Sequence, residues 1–576
     1  MRVPTLRRQA AAGTSAIIVA AAAFLSLSSG TDAAWTDDEY VGTAAGVMIA
    51  GNCSTTPLFR TESAARQLSG LLGADELDSL AALQGLSVEN ARGTVSVTPA
   101  SAIQINPVTF SAPLEASALG SPLLSATLGL DAAAGEAGAY NQWGRATGSG
   151  QAAAAAGTVN DQSGAIDATG TADGSATMPR SASINLSSLV PASAADMTLD
   201  IGAVASSAEV DACLLVNGWP TPNPVPVENR TYGIAGADLK AGVPSVQSMA
   251  AATTSAIDDA VDDLAALDDP GGQVTTTINT GIRALVQGAA GSLTLGTVDT
   301  VITIGTLDLS GVQPLLTGTI SDGVVTIDLS NSSATVNLAA LRGGANGFNG
   351  LPPNTVIGID QALLQEVSQR TTVLLAEWSS GMALALEQAL EAATFTMQTQ
   401  VVLRADVPLL GTVDVARLSI GYATTLGAFL DGSAPQPTIT TEVLSGALSG
   451  LDTLLTPILT ALNNGTGTVV EGVLVPALQG TSGVIPTAVT GIEGAADGVT
   501  EELDAILDPL AGVLSLTINV QPDQPGAPVT SAAAGNSAPG EYKISALRIA
   551  TLGNAAEIYL ATASAGPVIF RPEPAP

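Results

Sequence analysis

Apolar and polar residues alternate in several short stretches of the chain, and this period of two predicts strands with one buried face. Thr94–Thr98 and Met197–Ile201 show it in the first half of the sequence. Asp322-Gly323 separates two further alternating runs and is a hairpin signal. We therefore expect a twisted antiparallel sheet with one wet face. The residues after the turn that share its apolar face are Val325, Ile327, Leu329, Ala334, Val336 and Leu338.

A spacing of three or four between apolar residues predicts amphipathic helices elsewhere. The clearest helix covers residues 360–393, where Glu366 precedes Arg370 by four residues in the favourable order. We expect Gly381 to bend or divide this helix. Its apolar stripe consists of Leu363, Val367, Leu374 and Trp378.

Three more regions have helical spacing. Residues 246–267 form an amphipathic pattern that the Asp268–Gly272 segment ends. Residues 442–510 predict helices broken at Asn464-Gly465 and at Pro486. Leucines within 64–83 predict one or two short helices there.

The remaining apolar runs predict strands, so the fold class is α+β, with mainly antiparallel sheets, long inserted amphipathic helices and two or three packed lobes. The proline run at 219–226 is interpreted as a linker or an edge excursion. The predicted divisions are a β-rich domain with a disulfide at 34–240, a mixed region at 241–525, and C-terminal strands with a proline-rich tail at 526–576. The further strand regions are 273–345, 394–421, 514–520, 542–550 and 556–563.

Residues 1–33 have the three parts of a secretory signal peptide. Arg2, Arg7 and Arg8 precede an apolar run from Ala10 to Leu27, and small residues follow up to Ala33. We expect cleavage near Ala33 and an extracellular or cell-surface location. An uncleaved anchor is the alternative, but the apolar run is short and rich in alanine for a membrane span.

The chain of 576 residues carries a formal charge of −34. Such an acidic surface argues against nucleic acid and anionic lipid as partners. Polar residues interrupt every later apolar run, so no membrane span is expected after the N-terminal segment. Only 3% of residues are aromatic, which argues against stacking platforms for sugars or bases.

The sequence contains no histidine, which is the commonest general base and metal ligand. Histidine-dependent triads and the usual zinc sites are thereby excluded. We find neither a Gly-x-Ser-x-Gly elbow nor a phosphate-cradling glycine loop. The prediction is therefore a protein that is not an enzyme and has no catalytic residue, metal site or cofactor. Paired carboxylates that hydrolyse glycosides are the enzymatic alternative.

Two cysteines, Cys53 and Cys213, follow the predicted cleavage site, and an even count in an exported protein predicts a disulfide. Closing a loop of this length contributes about 5 kcal/mol by the chain-entropy model. Two free thiols are the alternative.

Three acidic or proline-containing motifs are assigned structural roles. Asp258, Asp259, Asp262 and Asp263 offer carboxylates to calcium, but a helix supplies no loop backbone to complete the ligand set, so a solvated acidic face is expected. The spacing within 167–174 is that of loose turns and not of an EF-hand. Leu351–Thr355 resembles a sortase substrate superficially, but its consecutive prolines predict a rigid turn before the next helix.

Three segments together resemble the choice-of-anchor G family of actinobacterial surface proteins. They are Arg66–Gly85 followed by Val88-Glu-Asn90, then Gly323–Leu329, and then Asn349–Thr355 with the helix after it. The resemblance implies export and attachment to the envelope through a variable C-terminal device, and it implies no enzymatic activity. The chain ends at Arg571–Pro576 without a sorting motif, an apolar tail or a basic end, so we expect release, a noncovalent tether or a tether on a partner.

Ala34–Tyr40 also resembles the beginning of secreted fibre-forming proteins of the camelysin type, with a polar first strand as the alternative interpretation. Together these features predict an exported, noncatalytic cell-surface or secreted protein in adhesion, assembly or envelope structure, with envelope or other surface proteins as partners. The alternative is an extracellular binding protein for an apolar ligand such as a lipid. An enclosed cavity would favour the ligand, and a solid core with open sheet edges would favour assembly.

Overall fold

The computed structural model describes Cys53 and residues 58–72, 75–77, 84–113, 131–132, 140–166, 182–186, 197–216, 219–343, 346–407, 411–444, 450–551 and 556–570. The predicted signal peptide at 1–33, the segment 34–40, the turns at 167–174 and the end of the chain at 571–576 lie outside these residues.

The described strands form four antiparallel sheets, and long helices accompany them, so the α+β fold class is confirmed. In chain order the strands are β1 (Phe59–Leu72), β2 (Asp75–Glu76), β3 (Leu86–Ala91), β4 (Thr94–Thr98), β5 (Ile103–Asn106), β6 (Thr109–Pro113), β7 (Asp131–Ala132), β8 (Asn141–Ala146), β9 (Gln151–Gly157), β10 (Ala182–Asn185), β11 (Thr198–Ile201), β12 (Val204–Val216), β13 (Trp219–Ile234), β14 (Ala237–Gly242), β15 (Thr294–Ile304), β16 (Thr319–Ser321), β17 (Val325–Asp328), β18 (Ser333–Asn337), β19 (Thr355–Gly358), β20 (Thr394–Val407), β21 (Gly411–Thr425), β22 (Thr438–Val443), β23 (Leu514–Val520), β24 (Tyr542–Thr551) and β25 (Ala556–Phe570). The helices are α1 (Pro244–Ala266), α2 (Gln273–Ala289), α3 (Gln313–Thr317), α4 (Leu338–Gly343), α5 (Gln361–Ala392), α6 (Leu426–Leu430), α7 (Leu451–Gln479) and α8 (Val484–Leu507).

The eight-stranded sheet joins the two ends of the described chain. Its order is β19-β23-β24-β25-β1-β3-β4, with β2 paired to β1, so β25 lies directly beside β1. The seven-stranded sheet, β16-β17-β18-β14-β11-β10-β7, likewise draws strands from both sides of residue 240. The divisions predicted at 240 and 525 therefore do not separate one sheet from another, because local composition carries no information about distant strand partners.

The other two sheets are more local. The six-stranded sheet has the order β13-β12-β9-β8-β6-β5, and the four-stranded sheet has the order β15-β20-β21-β22. The proline run at 219–226 lies in β13, an edge strand, which confirms the edge interpretation and not the linker. Edge strands tolerate proline because one side of their backbone has no partner.

Several elements predicted from periodicity are confirmed. Asp322-Gly323 turns the chain between β16 and β17, and α5 carries the Glu366–Arg370 ion pair at 3.1 Å. α1 also has the predicted span. By contrast, the division of α5 expected at Gly381 does not occur, because the helix continues through that residue. One large apolar cluster, to which α1, α2, α5, α7 and α8 all contribute, forms the main core.

The short helices predicted within 64–83 are wrong in the part that the structure describes. The segment is β1, a central strand that pairs with β25 on one side and β3 on the other. Its leucines fall near helical spacing, but pairing with the long strand β25 decides its conformation, since β propensity depends strongly on context. Residues 78–83 lie outside the described residues.

The prediction of strands from residue 273 is also wrong, because α2 occupies 273–289. Its apolar residues recur every four positions and are buried, and the threonines between them gave the segment a strand-like composition. The buried stripe consists of Val274, Ile278, Ile282 and Val286.

The helix break predicted at Asn464-Gly465 does not occur, because glycine there allows α7 to approach α2. A Cβ atom on Gly465 would lie 2.6 Å from Leu285 Cδ2, and one on Gly281 would lie 2.5 Å from Val469 Cγ1. Leu285 of α2 thus packs against Gly465 of α7, and Val469 of α7 packs against Gly281 of α2. The chain breaks instead between Gln479 and Val484, and Pro486 lies in the first turn of α8, where proline is tolerated.

Replacing Gly281 with alanine is expected to destabilise the fold by about 1 kcal/mol or more, because overpacking against the stiff Val469 outweighs the gain in helix propensity. Gly288 lies on the same helix with open space around it. Gly288→Ala should therefore stabilise by up to about 1 kcal/mol. Urea unfolding of the two variants checks this pair, and equal shifts would contradict the close approach.

Candidate functional site

The predicted disulfide is confirmed: Cys53 and Cys213 are bonded, with their Cα atoms 5.8 Å apart. Cys53 is buried in a small cluster with Phe59 and Ala212. Cys213 lies in β12 and pairs with Pro222 of β13. The bond ties the start of the described chain to the six-stranded sheet, and it is compatible with an extracellular location.

The four aspartates of α1 are exposed on its outer face. Asp258, Asp259, Asp262 and Asp263 thus lie opposite the buried stripe that includes Ile257 and Leu264, as expected of a solvated acidic face. Among the described residues, no group of three or more histidine, cysteine, aspartate or glutamate side chains is placed to hold a metal.

A buried ion pair lies on the eight-stranded sheet. The Arg548 guanidinium donates to Glu557 Oε1 from Nε at 2.8 Å and approaches it from Nη2 at 2.7 Å. Tyr559 donates to the same oxygen at 2.8 Å and its hydroxyl lies 3.1 Å from Thr530 Oγ1. The Glu557 side chain is fully buried. This group clamps the loop after β23 onto the sheet.

The surroundings of Glu557 and Tyr559 set their protonation states. Burial alone would raise the pKa of Glu557, but hydrogen bonds from Thr530, Arg548 and Tyr559 outweigh it and lower that pKa. Burial raises the pKa of Tyr559 to about 12. The carboxylate stays charged and the phenol stays protonated at neutral pH, which suits a structural clamp better than a proton-transfer site.

The segment Asn349–Thr355 clamps strands of two sheets. Asn349 accepts a hydrogen bond from the Ile234 amide at 2.8 Å and donates to the Ile234 carbonyl at 2.9 Å. Asn354 has a left-handed φ of 59° and exchanges the same two bonds with Gln521, at 2.8 and 3.0 Å. Residues 351–354 form the expected rigid turn, although β19 comes between the turn and α5.

Sequence reasoning missed an acidic pair in the seven-stranded sheet. Asp200 and Asp238 are directly opposite each other on β11 and β14. Burial and the neighbouring Asp200 carboxylate raise the pKa of Asp238, whose Oδ1 is buried without a hydrogen-bond partner. The Ser183 hydroxyl donates to Asp200 Oδ1. The alternating pattern predicted the strands, but only their register brings the two carboxylates together.

Asp238→Asn is expected to stabilise the fold by about 0.2–1 kcal/mol at neutral pH, because it removes a cross-strand pair of like charges. A carboxyl with a raised pKa binds its proton more tightly in the folded state. Lowering the pH through that pKa therefore stabilises the wild type, and the advantage of the variant disappears below the pKa of the unfolded chain. Thermal unfolding against pH measures this.

Two open grooves flank α5. One, of about 740 Å³, lies beside the β16–β17 hairpin, where Arg370 bridges Asp322 at 2.8 Å and Glu366 at 3.1 Å. The other, of about 490 Å³, lies between α5 and α8 and includes Asp504 and Asp508. Carboxylates, glutamine amides and a few apolar side chains, among them Leu364 and Leu374, line the grooves, and both grooves open widely to solvent. Such grooves do not enclose an apolar ligand.

One helical stretch, 451–510, is long and apolar enough to cross a membrane by length and composition, with a mean hydropathy of 1.3. The expectation that no membrane span follows the N-terminal segment stays a prediction. In the structure the stretch consists of α7 and α8. Within its apolar 18-residue segment, 33% is buried. A single stretch of this kind is weak evidence, because core helices pass the same test.

Among the described residues, five of the ten exposed large apolar side chains lie on edge strands of the sheets, and two others, Val373 and Leu384, lie on α5. Each edge strand in this group carries one such residue, between 54% and 60% exposed. Monomeric proteins usually protect their edges with charges, so uncovered valine or isoleucine at an edge indicates a surface for strand pairing. The residues are Ile103 on β5, Val227 on β13, Val301 on β15, Val356 on β19 and Val443 on β22.

The edges of the four-stranded sheet, β15 and β22, have no second strand partner among the described residues. Asn279 of α2 accepts a hydrogen bond from Thr300 of β15 at 2.6 Å, and Tyr422 lies beside Gly467 of α7, so these helices cover one face. The other face is mainly polar and faces solvent, although it includes the exposed Val301. Its residues include Asp299, Thr303, Thr396, Gln398, Gln400 and Thr440.

These features define an α+β protein built from antiparallel sheets, closed by one disulfide and open at several apolar edges. The chain belongs to the family described as Domain of unknown function (DUF8394), whose model matches residues 63–566. No curated protein and no solved structure matches the chain. The family match carries no activity, and the resemblance to choice-of-anchor G proteins stays a prediction.

Proposed function

We propose that this chain is an exported, noncatalytic protein of the cell surface or the medium, which acts in assembly, adhesion or envelope structure. The observation that carries the proposal is the exposed valine or isoleucine on each of five edge strands. An edge strand exposes unpaired N–H and C=O groups, and an apolar side chain beside them favours pairing with another strand.

Export is supported by the signal-peptide features of residues 1–33, by the Cys53–Cys213 bond and by the resemblance to actinobacterial surface proteins. The open, carboxylate-lined grooves along α5 give no support to the alternative of an enclosed apolar ligand.

Fractionation of the native cells with immunodetection tests the proposal. Medium, detergent extract and wall digest should contain the protein in oxidised form, and their proportions decide between release and attachment. A protein found in the cytoplasm with reduced cysteines would contradict export. Hydrolysis of cell-wall polymer by the purified chain would contradict the noncatalytic role, with a heat-denatured sample as the control.

A further inference from the structure

We infer that copies of this chain join head to tail, with β22 of one copy pairing antiparallel to β15 of the next. The inference rests on the proposed role in assembly and specifies the surface that performs it. β15 and β22 are the two edges of one sheet, so a single chain offers both halves of the contact.

The backbone of β22 exposes alternate residues to a partner. Leu444 donates from its amide to Val415 directly opposite at 3.0 Å, which marks that pair as hydrogen-bonded. In an antiparallel ladder the bonding direction alternates at each residue. The N–H and C=O groups of Ile439, Thr441 and Val443 therefore point away from β21 and towards the open edge.

The backbone of β15 offers a matching set. Gly305 donates to Thr394 directly opposite at 2.8 Å, so the groups of Val298, Thr300 and Ile302 point outward by the same alternation. The next outward amide, that of Ile304, donates to the Asp268 carboxylate at 3.1 Å, which occupies that end of the edge. The free stretch of β15 thus has the same length as the free stretch of β22.

The directions of the strands allow copies of the chain to be added one after another, all in the same orientation. All three ladders of the sheet are antiparallel, and it has an even number of strands. A second copy placed in the same orientation therefore sets its β15 antiparallel to β22 of the first. Its helix layer lies on the same side as that of the first copy.

The side chains on the helix side agree with this arrangement. With Thr441 opposite Thr300, Ile439 is opposite Ile302 and Val443 is opposite Val298, so both strands present the same face. Ile439 is half-buried, while Thr441 and Val443 are exposed within one chain, because little of the helix layer reaches β22. β15 by contrast lies under α2. The α2 helix of the next copy would cover the apolar face of β22, which a pairing of two β22 strands would leave open.

Charge weakens the contact in this register. Each strand carries a single charge, and the chain as a whole carries −34, so these edges are nearly neutral parts of an acidic molecule. In the register above Glu442 is opposite Asp299 on the wet face, although Arg417 partly compensates Glu442 at 3.1 Å. Screening by salt should therefore promote assembly.

Thr441→Pro tests the pairing, because it removes an outward amide at an exposed position and leaves the ladder with β21 intact. The full disulfide-bonded chain is studied by light scattering and negative-stain electron microscopy over a range of protein and salt concentrations. The wild type should form chains of copies, and the proline variant should stay monomeric. Thr441→Val keeps the amide and should assemble like the wild type.

Mixing distinguishes head-to-tail growth from a closed dimer. The proline variant keeps β15, so a small fraction added to wild type should cap growing ends and shorten the assemblies. In a contact between two β22 strands the variant would be inert, and that result overturns the inference. Asp299→Lys should strengthen association roughly 2–10-fold by facing Glu442, and an unchanged affinity would refute the register.

Wild-type chains that stay monomeric under all conditions would also overturn the inference. Such a result would leave export untouched, because cell fractionation tests export without reference to self-association.

Discussion

Removal of the Cys53–Cys213 bond is expected to lower the free energy of unfolding by about 2–5 kcal/mol, near the upper end of what single disulfides contribute. The two cysteines are 160 residues apart in sequence. The bond closes a long loop in the unfolded chain, and the chain-entropy model assigns about 5 kcal/mol to a loop of that length. The bonded cysteines also anchor the small cluster that contains Phe59, where β1 begins.

The measurement is urea unfolding of wild type and of the Cys53→Ser, Cys213→Ser double variant, each with and without reductant. Reductant should destabilise the wild type as much as the double substitution does, and it should have no further effect on the variant. An unchanged unfolding midpoint in the double variant would show that the loop is held by other contacts.

Glu557→Gln is expected to cost about 3–5 kcal/mol, because it leaves the Arg548 charge buried without its carboxylate. The variant also weakens the hydrogen bond that Tyr559 makes to Glu557. Replacing both charges together, as Arg548→Met with Glu557→Leu, should recover most of the loss, since well-packed apolar residues often replace a buried ion pair without penalty. A double variant as unstable as Glu557→Gln would mean that packing, and not charge, sets the cost.

The cost of Glu557→Gln should depend on pH. The pKa of Glu557 is lowered in the folded state, so its ionised form contributes stability above the pKa of the unfolded chain. That contribution is lost as pH falls through the lowered folded-state pKa. The difference in unfolding free energy between wild type and variant should therefore be largest near neutral pH and shrink in acid. A difference that stays constant down to acid pH would contradict the charged pair.

The sequence predicted elements whose signal is local. The Asp322-Gly323 hairpin and α5 depend on a turn dipeptide and on a long apolar stripe, and both are present. β1 and α2 were predicted wrongly for different reasons. β1 takes its conformation from strands far away in sequence, whereas the threonines of α2 hid a stripe with a spacing of four.

The candidate surfaces were harder to predict because register creates them. The even cysteine count was enough for the disulfide. No pattern along the chain shows that Asp200 faces Asp238, or that β15 and β22 end one sheet. The amides of Asn349 and Asn354 lie in a motif that was recognised, but their role as clamps depends on partners more than a hundred residues away.

The position of β1 between β3 and β25 has a consequence for how the protein is made. Among the described strands a ribosome releases β1 first and β25 last, so the centre of the eight-stranded sheet lacks a neighbour until β25 has been made. Contacts so distant in sequence also form slowly. In a chain that leaves the cell unfolded, this sheet would therefore close only after β25 had crossed, whereas the more local four- and six-stranded sheets could form earlier.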